Sequence, residues 1–240
     1  EEVAYQGVMN EGETSTNLGL KGIPELAESL MVARDLSILE YTSGALHFNS
    51  ISTVKALEFI AKAKKEGMQV TCDVASYNLL LNDTELNEFD TRFKTTPPFR
   101  SKETIKALIK GVKNGTVDAI SSDHTPEDIE EKKKEFNHAA FGIINLQTSF
   151  AAANTALRKT LPIEQIISHF TNKPAAILGL NPTSIEVGEK ADLTLFQPNA
   201  EYIFRKEMVV SKSKNSPFFN RNLTGKVVGT IASGKLTLND

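Results

Sequence analysis

An Asp-His pair at residues 123 and 124 ends the apolar run AISS and opens the charged stretch TPEDIEEKK. In parallel α/β folds, ligands sit at the carboxyl ends of strands, so polar residues just after apolar runs are the first candidates for chemistry. Three sets qualify: His47 with Asn49 and Ser50, Asp73 with Tyr77 and Asn78, and Asp123 with His124. Asp123 is either a catalytic carboxylate at the end of a buried strand or a loop acid beside a helix cap. His47 lies within an apolar run and reads as a core histidine. His138 and His169 lie in helical or loop segments with no second ligand at metal spacing. Cys72, the only cysteine, reads as a small core residue without a basic neighbour, and it excludes an internal disulfide framework. In FKTTPPFR the proline pair forbids regular structure, and Lys94 and Arg100 there either hold an anionic substrate or sit on the surface.

The elements that position these groups are legible from periodicity. Residues 24–40 carry Leu26, Leu30, Val32, Ala33, Leu36 and Leu39 at helical spacing behind Pro24. GALHFNSIS reads as a strand, and residues 53–66 as a helix with a Thr cap and Gly67 as its stop. MQVTCDVASYNLLL begins as a β-branched strand, KETIKALIKGVKNG is again helical, and TVDAISSD is the third strand. Near-continuous apolar strands alternating with helices indicate parallel βα units. The run EDIEEKKKEF reads as a solvated helix face. From about residue 184 the chain becomes β-rich, with Asp192, Thr194 and Phe196 alternating against Leu193 and Leu195, and NPTS at 181–184 marks a boundary.

A formal net charge of −3 over 240 residues gives no footprint for nucleic acid or an anionic membrane. No run reaches the roughly 18 apolar residues of a spanning helix, and EEVAYQGVMNEG lacks the features of a signal peptide. A cytoplasmic location is expected. The first residue is not Met, so a segment of something longer is also expected.

Nine stretches, in order, carry a family resemblance: GVMNEGETSTNLGLKGIPELAESLMVARD, LHFNSIST, TCDVASYNLLL, KTTPPFR, SSDHTPEDIEEK, AAFGIINLQTSF, TNKPAAILGL, VGEKADLTLF and SKSKNSPFFNRNLTGKVVGTIASGK. Together they resemble the C-terminal half of a dihydroorotase, in the cyclic amidohydrolase branch of the metal-dependent amidohydrolases. The resemblance implies an α/β fold: the C-terminal part of a (β/α)₈ TIM barrel over residues 1–183, and strands of a small composite β-sandwich over 184–240. It makes the three strands above the last three of the barrel. Such a part has open edges and an uncovered core, so it is expected to need upstream residues or another copy for stability.

The resemblance also assigns roles. Asp123 falls at the position of a carboxylate that binds metal and shuttles a proton. Ser50 falls where the family has a ligand histidine, and a serine hydroxyl is a poor zinc ligand. His47, three residues earlier, is expected on the opposite strand face and cannot substitute. Thr96, Glu127, Phe141 and Gly142 fall at substrate-binding positions; Thr96 stands for an Asn and Glu127 for a His, while Tyr77 and Asn78 stand for paired histidines. The implied reaction is reversible hydrolysis of dihydroorotate to carbamoyl aspartate, with zinc absent or weakly bound in this chain. Alternatives are a non-catalytic scaffold for aspartate carbamoyltransferase and a different cyclic amidohydrolase of hydantoinase or allantoinase type. A homo-oligomer is expected.

Overall fold

The computed structural model describes residues 2–86, 88–180 and 184–239. Its first strands, β1 (Met9–Asn10) and β2 (Gly22–Ile23), pair in parallel with Met9 opposite Gly22. Helix α1 (Glu13–Leu18) joins them and stops at Gly19, which adopts a left-handed φ of 65°. The sequence reading starts its strands at GALHFNSIS and misses this pair, because two residues carry no periodicity.

The βα pattern follows as expected: α2 (Glu25–Thr42), β3 (Ala45–Phe48), α3 (Val54–Lys65), β4 (Gln69–Ala75), α4 (Lys102–Lys113) and β5 (Ala119–Ser121). The three strands form a parallel sheet in the order β3-β4-β5. Helix α3 begins where the Thr53 hydroxyl accepts from the Ala56 amide, and α4 where Ser101 accepts from Thr104. Lysines 62, 64 and 65 in the last turn of α3 complement its dipole.

Side chains alternate across these strands and set up two different faces. Phe48, Val70, Cys72, Val74 and Ile120 join Leu36, Leu57, Ile60, Leu108 and Val112 in the core beneath α2, α3 and α4. Burial pushes the Cys72 thiol up to about 12, so it is an inert core residue, as read from sequence. The other face carries His47, Thr71, Asp73 and Ser121.

A second core draws on distant parts of the chain. Val8, Met9, Tyr77, Phe99 and Ile143 pack with Phe204, Phe218 and Leu223. Helices α5 (Ile129–Lys132), α6 (Ser149–Leu157), α7 (Ile163–Ser168) and α8 (Asn172–Ile177) lie between. The solvated helix expected over EDIEEKKKEF is cut to one turn, and its Lys132 is only 6% exposed.

The tail forms an antiparallel sheet of β6 (Leu193–Ile203), β7 (Asn222–Ala232) and β8 (Lys235–Leu238). Ser233 and Gly234 both have positive φ and close the β7–β8 hairpin. Thr194, Thr230 and Thr237 align across one face; Leu193, Ile231 and Leu236 align across the other, beside Leu195 and Leu238. The boundary expected at NPTS falls almost wholly outside the described residues. No helix among the described residues is long and apolar enough to cross a membrane.

Candidate active site

His47 pairs in register with Thr71, and Asp73 is two residues further along β4, so all three side chains share the face away from the helices. His47 Nδ1 lies 2.8 Å from the Thr71 hydroxyl and Nε2 lies 2.9 Å from Asp73 Oδ2. The other Asp73 oxygen accepts from the Ser50 amide at 3.0 Å and from the Ser121 hydroxyl at 2.6 Å. Both ring nitrogens are thus engaged, one by a hydroxyl and the other by the carboxylate. Asp73 is 6% exposed, and these donors from β3 and β5 compensate its burial.

His47 is half-buried rather than sealed in the core, and both its ring nitrogens are satisfied, as expected. The chain leaves β3 at Phe48, Ser50 has a left-handed φ of 55°, and it is the Ser50 backbone amide, not its hydroxyl, that shares Asp73 with His47. The Ser50 hydroxyl itself bonds Asn49 Oδ1 at 3.0 Å.

Asp123 stands two residues beyond β5 with a φ of 44°, and its Oδ2 accepts a hydrogen bond from the Tyr77 hydroxyl. Tyr77 sits in the 3₁₀ turn Ser76–Leu79 directly after β4, fully buried, its ring edge-on to Phe99 at 5.5 Å. Burial first, and then the Asp123 carboxylate, push the phenol well above its usual range, so it stays a donor. His124 points elsewhere: Nδ1 accepts from the amides of Asn145 and Leu146 at 3.0 and 3.2 Å, and burial lowers its pKa. The Asp-His pair of the sequence is therefore not a dyad. Asn78 is buried with neither amide atom hydrogen-bonded among the described residues.

A cleft of about 800 Å³ gathers Ser50, Thr96 and Phe141, together with Tyr5, Gln6 and Arg100. Glu127 and Gly142 are not among its lining residues, although Gly142 directly follows Phe141. Gly142 has a φ of 134°, and a Cβ there would sit 2.8 Å from Thr125, so this position requires glycine. Its carbonyl accepts from Lys132 Nζ and from Asn215 Nδ2, both at 3.0 Å. The Glu127 carbonyl accepts from the Ser213 hydroxyl, so the tail braces both residues.

Neither basic residue of FKTTPPFR is on the surface. Lys94 is 1% exposed, donates to the carbonyls of Phe136 and Asn137 at 2.6 and 3.1 Å, and lies over the Phe141 ring at 4.6 Å. Arg100 is 2% exposed and donates to Ser52 Oγ, Asn10 Oδ1 and the Ile23 carbonyl at 3.1, 2.9 and 3.0 Å. Glu28, which sequence reasoning passed over, provides the opposing charge and accepts from the amides and hydroxyls of Ser52 and Thr53. It sits on an otherwise ordinary helix, so only the fold reveals it.

These residues do not make a zinc site. Ser50 offers a hydroxyl, both nitrogens of His47 are engaged, and one Asp123 oxygen is held by a phenol. Among the described residues no three His, Cys, Asp or Glu side chains gather in a way that could hold a metal ion.

Comparison with known proteins agrees with the fold. Residues 11–237 match the family described as the amidohydrolase family. The chain is 42% identical to the dihydroorotase of Geotalea daltonii over 232 residues, 96% of this chain and 55% of that protein. It is 40% identical to the dihydroorotase of Acetivibrio thermocellus, covering 100% of this chain and 57% of that one. The chain thus spans about half the length of the curated relatives it matches. Among solved structures, the L-hydantoinase (dihydropyrimidinase) of Arthrobacter aurescens superposes with a TM-score of 0.82 at 26% identity, over 88% of this chain and 49% of that one. The inactive dihydroorotase-like domain of a Chaetomium thermophilum CAD-like multifunctional protein matches at 0.65 and 19% identity, over 87% and 56%.

Proposed function

We propose, from the premise that this chain belongs to the amidohydrolase family and has dihydroorotases as its relatives, that it is a dihydroorotase-type barrel segment whose own residues no longer assemble the hydrolytic centre. The reading divides it into the C-terminal part of the barrel, residues 1–183, and a contribution to a composite β-sandwich, residues 184–240. In that family a metal activates water, and reversible ring opening converts dihydroorotate to carbamoyl aspartate. Asp123 takes the place of the proton-shuttling carboxylate, with Thr96, Glu127, Phe141 and Gly142 at the substrate positions.

The observation that carries the proposal is the Tyr77–Asp123 hydrogen bond. A general base must reach the proton it abstracts, and here one carboxylate oxygen is already occupied by a buried donor. Ser50 at the position of a ligand histidine points the same way. What this chain's residues retain is ring binding: Phe141 offers an apolar face in the cleft, and the backbone around Gly142 is held rigidly by Lys132 and Asn215. The test is zinc content and ring-opening rate of the cytoplasmic protein purified at its natural length. Low turnover with dihydroorotate supports the proposal; stoichiometric zinc with robust turnover overturns it.

A second reading is favoured by exposed apolar surface on α2 and on the tail sheet: a non-catalytic scaffold, associating with itself or with aspartate carbamoyltransferase. Co-purification with that transferase at micromolar concentration distinguishes it. The similarity to a hydantoinase keeps a different cyclic amide as the second ring to assay.

A further inference from the structure

Both acids on the polar side of the parallel sheet already have protein donors, but their surroundings differ. Asp73 is buried and receives donors from both neighbouring strands; Asp123 is only half-buried, on a left-handed backbone, and its partner is one phenol from the fully buried Tyr77. The phenol cannot turn away, because its ring is fixed against Phe99 within the second core. A carboxylate in such a wall needs a compensating donor or cation. We propose that Tyr77 is a positioning residue that has taken the place of a metal ion at Asp123: its hydroxyl fixes the carboxylate and lets the fold stand without a cation there. This deepens the reading of a lost hydrolytic centre, and rests on it for the position of Asp123, but it makes a separate claim. The site has been rebuilt around a phenol–carboxylate pair, so it is not simply a zinc site lacking ligands.

The geometry predicts coupling between the two residues and independence from metal. The experiment compares the natural-length protein with its Tyr77→Phe, Asp123→Asn and double variants by urea unfolding and by elemental analysis after zinc loading. Tyr77→Phe alone is expected to lower the folding equilibrium constant roughly ten- to a hundredfold, the range for a hydrogen bond to a charged group. In the Asp123→Asn background the same change is expected to cost much less. Zinc content is expected to be the same with and without Asp123→Asn, and a chelator is expected to leave the unfolding midpoint in place. Additive losses, or zinc that disappears with Asp123→Asn, overturn the inference. If Tyr77→Phe does not fold, near-ultraviolet absorption of Asp123→Asn reads the same contact, since the chain has four tyrosines and no tryptophan. A shift of one tyrosine band supports the pairing, and an unchanged spectrum overturns it. Turnover in the unmodified protein would sink the proposed function, whereas additive variants in an inactive protein would sink only the role of Tyr77.

Discussion

Asp73 shows how much one side chain can organise. Its two oxygens receive a ring nitrogen and an amide from the β3 segment and a hydroxyl from β5, so it links the ends of the three strands that carry the candidate site. Replacing it by Ala leaves buried donors unpaired and is expected to cost about 2–4 kcal/mol in urea unfolding. Glu28 is a comparable case: Glu28→Gln removes the charge that opposes Arg100, with an expected loss of about 3 kcal/mol by the same measurement. Lys132 provides a pH signature. Burial holds its pKa at about 8, below the ordinary 10.5, so the unfolded chain binds more protons between those values. Its contribution is therefore unfavourable below pH 8 and improves as pH rises towards 10.5. Subtracting the unfolding free energies of Lys132→Met from those of the unmodified protein across that range should reveal this slope, and a flat difference would contradict it.

At the level of elements, the parallel strands and their helices were legible because each has a period and a stop: Thr53, Gly67 and Ser101 punctuate the pattern where the chain turns. What escaped was set by backbone geometry that no pattern encodes. Ser50 leaves the strand with a positive φ, so the alternation counted along β3 does not extend to it. The short turn of α5 buries Lys132 because the 140–142 segment presents carbonyls to it, a contact between residues of unremarkable type. The Tyr77–Asp123 pair spans 46 residues of sequence, and only the pairing of β4 with β5 brings it together. Gly142→Ala tests the loop element directly. A methyl group 2.8 Å from Thr125 on a backbone at φ 134° should cost about 2 kcal/mol or more, and should displace Phe141 in the cleft, measurable as weakened binding of a cyclic amide.

Across the whole molecule, helix α2 is apolar on two sides. Val32, Leu36 and Leu39 face the core, while Leu26, Leu30, Ile38 and Tyr41 are 54%, 48%, 53% and 90% exposed. Leu195, Leu236 and Leu238 are exposed on the tail sheet as well. Surfaces of this kind drive association, so sedimentation at micromolar concentration should show species larger than a monomer. Leu30→Lys with Ile38→Lys should shift them towards the monomer; a monomer from the outset would contradict the expectation.

The tail also bears on how this fold can be inherited. Ser213 and Asn215 bond to Glu127 and Gly142, and Phe218 and Leu223 share a core with Tyr77, so the segment that carries Phe141 is supported from two distant stretches of the gene. A recombination joint near residue 184 would separate partners that must change in concert. Lineages exchanging residues 184–240 would carry mismatched contacts until residues 125–145 followed. Grafting a relative's tail onto this chain should therefore disturb the cleft before it disturbs the sheet.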